Sequence, residues 1–226
     1  MRIKHYSIFK NKADSLNWES LRNNETEKPY YLPYSKNAYL EKIETIEPSK
    51  LTQIILHEIE MTGLKKIFSI GSGIASQEYQ LKKYSNYSVV VTDNNSSVLR
   101  LKKFEIFDDA FILDAFQDNL PLDESWVMIF PSIDTEFSDI QLSQLFNKCY
   151  MLGIKIICFI PAELLSLRII IAEIKIFIIS IIKRKPRVFC GYARSMSSFR
   201  SIWESYYKVQ KKYKNVFFLQ AIPNMV

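Results

Sequence analysis

An apolar run that breaks at glycine, Ile67-Phe68-Ser69-Ile70-Gly71-Ser72-Gly73-Ile74-Ala75, constrains this chain more than any other feature. A strand that ends in Gly-x-Gly and passes straight into a helix has few folds open to it. The turn needs backbone angles that side chains disfavour, and the helix start leaves amides unpaired. Main chain without side chains there lets a polar or anionic ligand reach those amides. Two glycines alone occur by chance in loops, so the spacing of acids and strands beyond them decides.

Ser88-Val89-Val90-Val91-Thr92 has the β-branched composition of a parallel strand buried on both faces, and it ends at Asp93, 20 residues beyond Gly73. An acid at the tip of the second strand of a βαβ unit is placed to accept both hydroxyls of an adenosine ribose. A further strand, Ala110-Phe111-Ile112-Leu113, closes on Asp114-Ala115-Phe116, where a carboxylate can meet the exocyclic amine of an adenine.

These residues resemble the class I S-adenosylmethionine-dependent methyltransferases over roughly residues 50–222. That family carries an acid two residues before a Gly-x-Gly-x-Gly loop, an acid closing strand two and an Asp-Ala closing strand three. The resemblance implies S-adenosylmethionine as cofactor, with Gly71, Ser72 and Gly73 at its methionine moiety, Asp93 and Asn94 at the ribose, and Asp114 and Ala115 at the adenine. It also implies that the edge of strand four, at Phe130-Pro131-Ser132, faces the methyl donor. Two positions depart from the pattern. Ser69 stands where the family usually has the acid that helps hold the cofactor's ammonium group, and Ala75 stands where a third glycine is common. Ser76 half satisfies the small residue that a dinucleotide-binding loop wants, so an NAD-dependent oxidoreductase is the alternative enzyme. A non-catalytic scaffold of the same fold is a third reading, motivated by Ser69.

The rest of the chain fits an α/β, Rossmann-like doubly wound sheet. Helix 48–63, strand 66–70, helix 74–84, strand 88–92, helix 96–103, strand 110–113, strand 126–130, helix 138–151 and strand 154–160 alternate as a mostly parallel sheet requires. Phe199, Ile202, Trp203 and Tyr206 make one face of a helix begun by Ser197 or Ser198, and strands at 207–213 and 216–222 come after it. Those two strands resemble the closing antiparallel hairpin, β6–β7, of the family. Residues 1–47, rich in tyrosine and broken by Pro29 and Pro33, read as an N-terminal arm or lid. Residues 48–226 read as the methyltransferase-like domain, with a cap-helix insertion at 162–187.

That insertion is a long apolar helix over 162–185, without Gly or Pro. Its larger apolar face carries Leu167, Ile170, Ile171, Ile174, Phe177, Ile178 and Ile181, and a smaller one carries Leu165, Ile169, Ala172, Ile176 and Ile179. A helix on a sheet needs one such face, so the second is left for a substrate, another subunit of a homodimer or a bilayer surface. Arg168, Glu173 and Lys175 argue against a membrane span. Peripheral contact with an anionic membrane fits the basic run Lys183-Arg184-Lys185-Pro186-Arg187. The net charge of +6 is uneven: residues 151–226 hold 13 basic and 3 acidic side chains.

Methyl transfer needs proximity, alignment and exclusion of water rather than a covalent residue. Tyr31, Tyr34, Asp134, Tyr192 and Arg194 fall in segments expected to border the site, but no motif makes any of them catalytic. The expected acceptor is a small molecule, a glycan or a lipid-linked compound; nucleic acid is not the expected partner. His5 and His57 are far apart in the sequence and no metal site is expected. Cys149, Cys158 and Cys190, odd in number and without a Cys-x-x-Cys pair, suit a reducing compartment. Met1 to Ser15 lacks the apolar stretch of a signal peptide, so a cytoplasmic place, with membrane association left open, is expected.

Overall fold

A computed structural model describes residues 17–44, 49–162, 164–183 and 192–223. Seven strands form one sheet: β1 (Lys66–Ile70), β2 (Ser88–Asp93), β3 (Asp109–Ile112), β4 (Trp126–Pro131), β5 (Ile156–Ile160), β6 (Tyr207–Tyr213) and β7 (Val216–Ala221), in the spatial order β3-β2-β1-β4-β5-β7-β6. The first five strands are mutually parallel, and β7 inserts antiparallel between β5 and β6. The Rossmann-like doubly wound sheet with its antiparallel closing hairpin is therefore present as expected.

The apolar runs of the central strands exist because both faces are covered. Ile67, Val89, Val91, Val127, Ile129, Ile156 and Cys158 point to one core, and Phe68, Ile70, Val90, Met128, Phe130, Ile157 and Phe159 point to the other. This is the two-residue period of a strand seen from both sides. Helices α3 (Lys50–Glu60), α4 (Ser76–Lys83) and α5 (Val98–Phe104) close the first core. Helices α6 (Asp139–Met151) and α8 (Met196–Trp203) close the second, where Phe146, Phe159, Phe199, Trp203 and Phe217 meet edge to face, stacked or tilted.

Local signals set the helix boundaries, in places differently from the sequence reading. Ser49 caps α3 through Thr52 N–H, and Ser138 with Gln141 forms a reciprocal cap on α6. The cap of α8 is Ser195, earlier than the serines 197 and 198 expected, because its hydroxyl reaches Ser198 N–H. Helix α4 begins at Ser76 and not at residue 74, since Gly73 and Ala75 take φ of +61° and +54°. The long apolar helix α7 spans Leu167–Lys183 rather than starting at 162. Ahead of it Leu164 bridges Arg194, and Leu165 N–H donates to Arg194 O at 2.8 Å.

The arm contributes α1 (Trp18–Asn23) and α2 (Lys36–Glu44). Tyr39 of α2 is fully buried and donates its hydroxyl to Ile74 O at 3.1 Å, so part of the arm is core. Cys149 and Cys158 are buried free thiols. Cys190, His5, residues 1–15, Glu163 and the basic residues 184–187 lie outside the described residues.

Candidate functional site

The strand order reverses between β1 and β4, and a crevice opens at the carboxyl ends of strands on either side of such a point. The loop that lines it is held by the neighbouring strand: Gly71 N–H and Ser72 N–H both donate to Thr92 O at 2.9 Å. Gly71 and Gly73 have φ of +73° and +61°. A Cβ on Gly71 would stand 2.5 Å from Ile133 Cγ2, and one on Gly73 would stand 2.6 Å from Arg22 Nη2. Both glycines are favoured by backbone angle; at Gly71 the Ile133 side chain also crowds the added carbon, whereas at Gly73 the end of the Arg22 side chain would have to move. Ala75, where the family pattern often has glycine, keeps the left-handed backbone and bears its strain.

The cavity measures about 590 Å³, within the range of small-ligand sites. Its walls include Gly71, Ser72, Gly73, Asp93, Asn94, Asp114 and Ala115, so seven of the nine site residues read from the sequence are brought together. Asp93 Oδ2 accepts Gly73 N–H at 2.9 Å and its Oδ1 accepts Asn95 N–H at 3.0 Å. Asp114 Oδ1 accepts Phe116 and Gln117 N–H at 2.9 and 3.1 Å. Each carboxylate is aimed by the backbone and keeps lone pairs for a ligand.

Ser69 and Phe130, the other two, do not line the cavity. Ser69 is fully buried behind the loop, and Phe130 follows the strand alternation into the core, 5.6 Å from the Phe146 ring. The edge of β4 enters the wall one residue later, at Pro131 and Ser132.

Three wall residues have no motif to reveal them. Glu78 of α4 is 1% exposed and accepts the Ser69 hydroxyl at 2.6 Å. Burial pushes its carboxyl up to about 7, with the Asp93 charge adding to the rise and the Ser69 bond opposing it. An acid is absent from position 69, but a carboxyl nine residues later in the sequence is hydrogen-bonded to the serine that stands there. Arg22 comes from α1: its Nη1 donates to Tyr30 O at 3.2 Å and its guanidinium lies 5.2 Å from the Trp18 ring centre. Burial lowers its pKa while Asp93 opposes the change. Glu136 stands at the exposed rim, where desolvation raises its carboxyl and a hydrogen bond with the Trp18 indole opposes the rise.

Two buried polar atoms in the wall, Arg22 Nε and Ser72 Oγ, have no hydrogen-bond partner among the described residues. Buried polar groups are nearly always paired, so an orphan donor and an orphan hydroxyl beside bare main chain fit a polar ligand. A zwitterionic amino-acid group matches the neighbourhood of Arg22 and Glu78, and the acids at 93 and 114 suit a nucleoside. The residues present thus fit S-adenosylmethionine.

The remaining residues expected to border the site have other partners. Tyr31 and Tyr34 donate to Glu25 and Asn23, and neither lines the cavity. Asp134 accepts Ala162 N–H at 2.9 Å and is raised by burial to about 6. Arg194 is anchored by Asp139 at 2.7 Å and by the carbonyls of Asp134 and Phe137, and it lies over the Tyr192 ring. These hold the segments after β4 and β5 together.

The sequence matches no protein-family model and no curated protein. Solved structures do match. Human N-acetylserotonin methyltransferase, solved in complex with SAM, superposes with a TM-score of 0.58 at 16% identity over 97% of this chain and 62% of its own. The PH0226 protein from Pyrococcus horikoshii gives 0.56 at 17% identity over 88% of this chain and 99% of its own. Magnesium protoporphyrin IX methyltransferase from Synechocystis, with bound SAH, gives 0.52 at 12% identity over 76% and 81%. The chain spans about three fifths of the human enzyme's length. These likenesses show that it has the class I methyltransferase fold.

Proposed function

We propose that the protein transfers the methyl group of S-adenosylmethionine to a small-molecule acceptor, with glycans and lipid-linked compounds among the candidates. The observation that carries this reading is the pairing of bare main chain at Gly71–Gly73 with an incompletely satisfied buried guanidinium, Arg22, and a buried carboxyl, Glu78. Methyltransferases of similar fold that hold SAM or SAH support it.

In this reading Arg22 and Ser72 take the carboxylate of the methionine moiety and Glu78 takes its ammonium. Asp93 and Asn94 take the ribose, while Asp114 and Ala115 take the adenine. The cofactor supplies an electrophilic methyl on a sulfonium. Trp18, Pro29 and Tyr30 of the arm cover the cavity and limit its water. Glu136, raised by desolvation, accepts the proton of an acceptor hydroxyl at the rim.

Calorimetric titration tests the reading. S-adenosylhomocysteine is expected to bind and NAD not to bind, and Asp93→Asn should weaken the complex by about 10- to 100-fold, the worth of a charge-assisted hydrogen bond. Glu136→Gln should leave that binding intact and slow turnover of a hydroxyl acceptor by about 100-fold or more. Preference for NAD, or an Asp93→Asn variant that binds like wild type, overturns the proposal.

A further inference from the structure

Helix α7 carries its apolar surface on the outside. Leu167, Ile171, Ile174, Ile178, Ile181 and Ile182 are between 48% and 77% exposed, and at 3.6 residues per turn they fall within about a third of the helix circumference. Ile169, on the opposite side, is 7% exposed and faces the body of the protein. Arg168 and Lys175 are exposed along one flank of the apolar stripe, seven residues apart, so that basic groups border it. Aliphatic surface of this extent does not stay in water at no cost.

The geometry points to an anionic bilayer surface as what covers it: we infer that α7 is an interfacial anchor lying in the plane of the headgroups. No described helix is long and apolar enough to cross a membrane. A second copy laid along α7 would meet one stripe of a helix about 25 Å long, short of the roughly 800 Å² that each partner of a standard interface contributes. Lipid has no such size threshold, covers a broad face, and adds electrostatic attraction to buried apolar area. The basic flank complements anionic headgroups. Arg168 and Lys175 have side chains long enough to keep their charges among headgroups while the isoleucines sink.

Co-sedimentation of the full chain with vesicles decides the matter, comparing phosphatidylcholine alone with phosphatidylcholine containing phosphatidylglycerol. The expected result is partition onto the anionic vesicles that weakens as salt is raised. Arg168→Gln and Lys175→Gln should each lower the partition about fivefold. The pair Ile174→Asp with Ile178→Asp should abolish it while the thermal midpoint stays at the wild-type value, because both side chains are already exposed. Absence of vesicle binding overturns the inference. So does a lipid-free dimer that the double aspartate variant dissociates, or equal binding by wild type and that variant at an unchanged midpoint.

Discussion

Replacing Glu78 by glutamine perturbs the site and the fold in opposite directions, which makes it a sharp test. The carboxyl is buried and raised to about 7 from an ordinary value of 4.5. A raised acid holds its proton in the folded chain while the unfolded chain has released it, so this group's contribution is lost as pH climbs from about 4.5 through 7. Each tenfold change in proton affinity is worth about 1.36 kcal/mol, so the charged carboxylate costs the folded protein roughly 3 kcal/mol at pH 8 and under about 1 kcal/mol at pH 5. Glutamine keeps an oxygen to accept the Ser69 hydroxyl and carries no charge to desolvate. Glu78→Gln is therefore expected to melt roughly 6–12 °C above wild type at pH 8, with most of the difference gone at pH 5, as scanning calorimetry without ligand would report. The gain should come at the expense of binding. Affinity of wild type for S-adenosylhomocysteine should rise as pH passes about 7, because ionised Glu78 then meets the ligand's ammonium, whereas the glutamine variant should bind about 10- to 100-fold more weakly at pH 8 and show no such rise. 5′-Methylthioadenosine, which lacks the amino-acid end, should bind both proteins alike. A variant no more stable than wild type at pH 8, or one whose gain persists undiminished at pH 5, refutes the reasoning about burial. Equal loss of both ligands refutes the ammonium assignment.

Gly73→Ala should displace Arg22, since the new methyl would stand 2.6 Å from Nη2 on a backbone with φ of +61°. Titration should show S-adenosylhomocysteine affinity reduced at least about 10-fold, with a midpoint lowered by a few degrees for the left-handed strain. Trp203→Ala empties the centre of the second core, where the indole is 1% exposed and lies 5.6 and 5.4 Å from the Phe159 and Phe217 rings. Denaturant unfolding should register a loss of about 3–5 kcal/mol, and a loss under about 1 kcal/mol would contradict the packing described.

How much the sequence discloses depends on how far apart the cooperating residues lie along it. Parallel strands buried on both faces must be continuously apolar, so their positions are legible. The glycines at 71 and 73 and the acid closing β2 stand at spacings that the βαβ unit itself dictates. Taking the edge of β4 as a whole misplaces Phe130, because the two-residue alternation sends 130 inward and leaves Pro131 and Ser132 in the wall. The start of α7 is illegible for another reason: a composition without helix breakers carries no sign of Leu164 bridging Arg194, a contact 30 residues away. Arg22 reaches Gly73 across 51 residues of sequence, and nothing local in the arm distinguishes it from the other basic side chains.

Ser69 is the more instructive case. Compared position by position with the family pattern, it marks a missing charge and motivates a scaffold without activity. In the folded chain its hydroxyl donates to the carboxyl of Glu78, in the first turn of the helix that the glycine loop launches. In the proposed reading the role of a strand acid passes to this helix acid, and the serine becomes the group that orients it. A cofactor senses where a carboxylate stands rather than which residue number bears it. The departure at 69 is thus an argument for a displaced charge, and whether that charge still serves the cofactor is what the contrast between S-adenosylhomocysteine and 5′-methylthioadenosine in the Glu78→Gln variant measures.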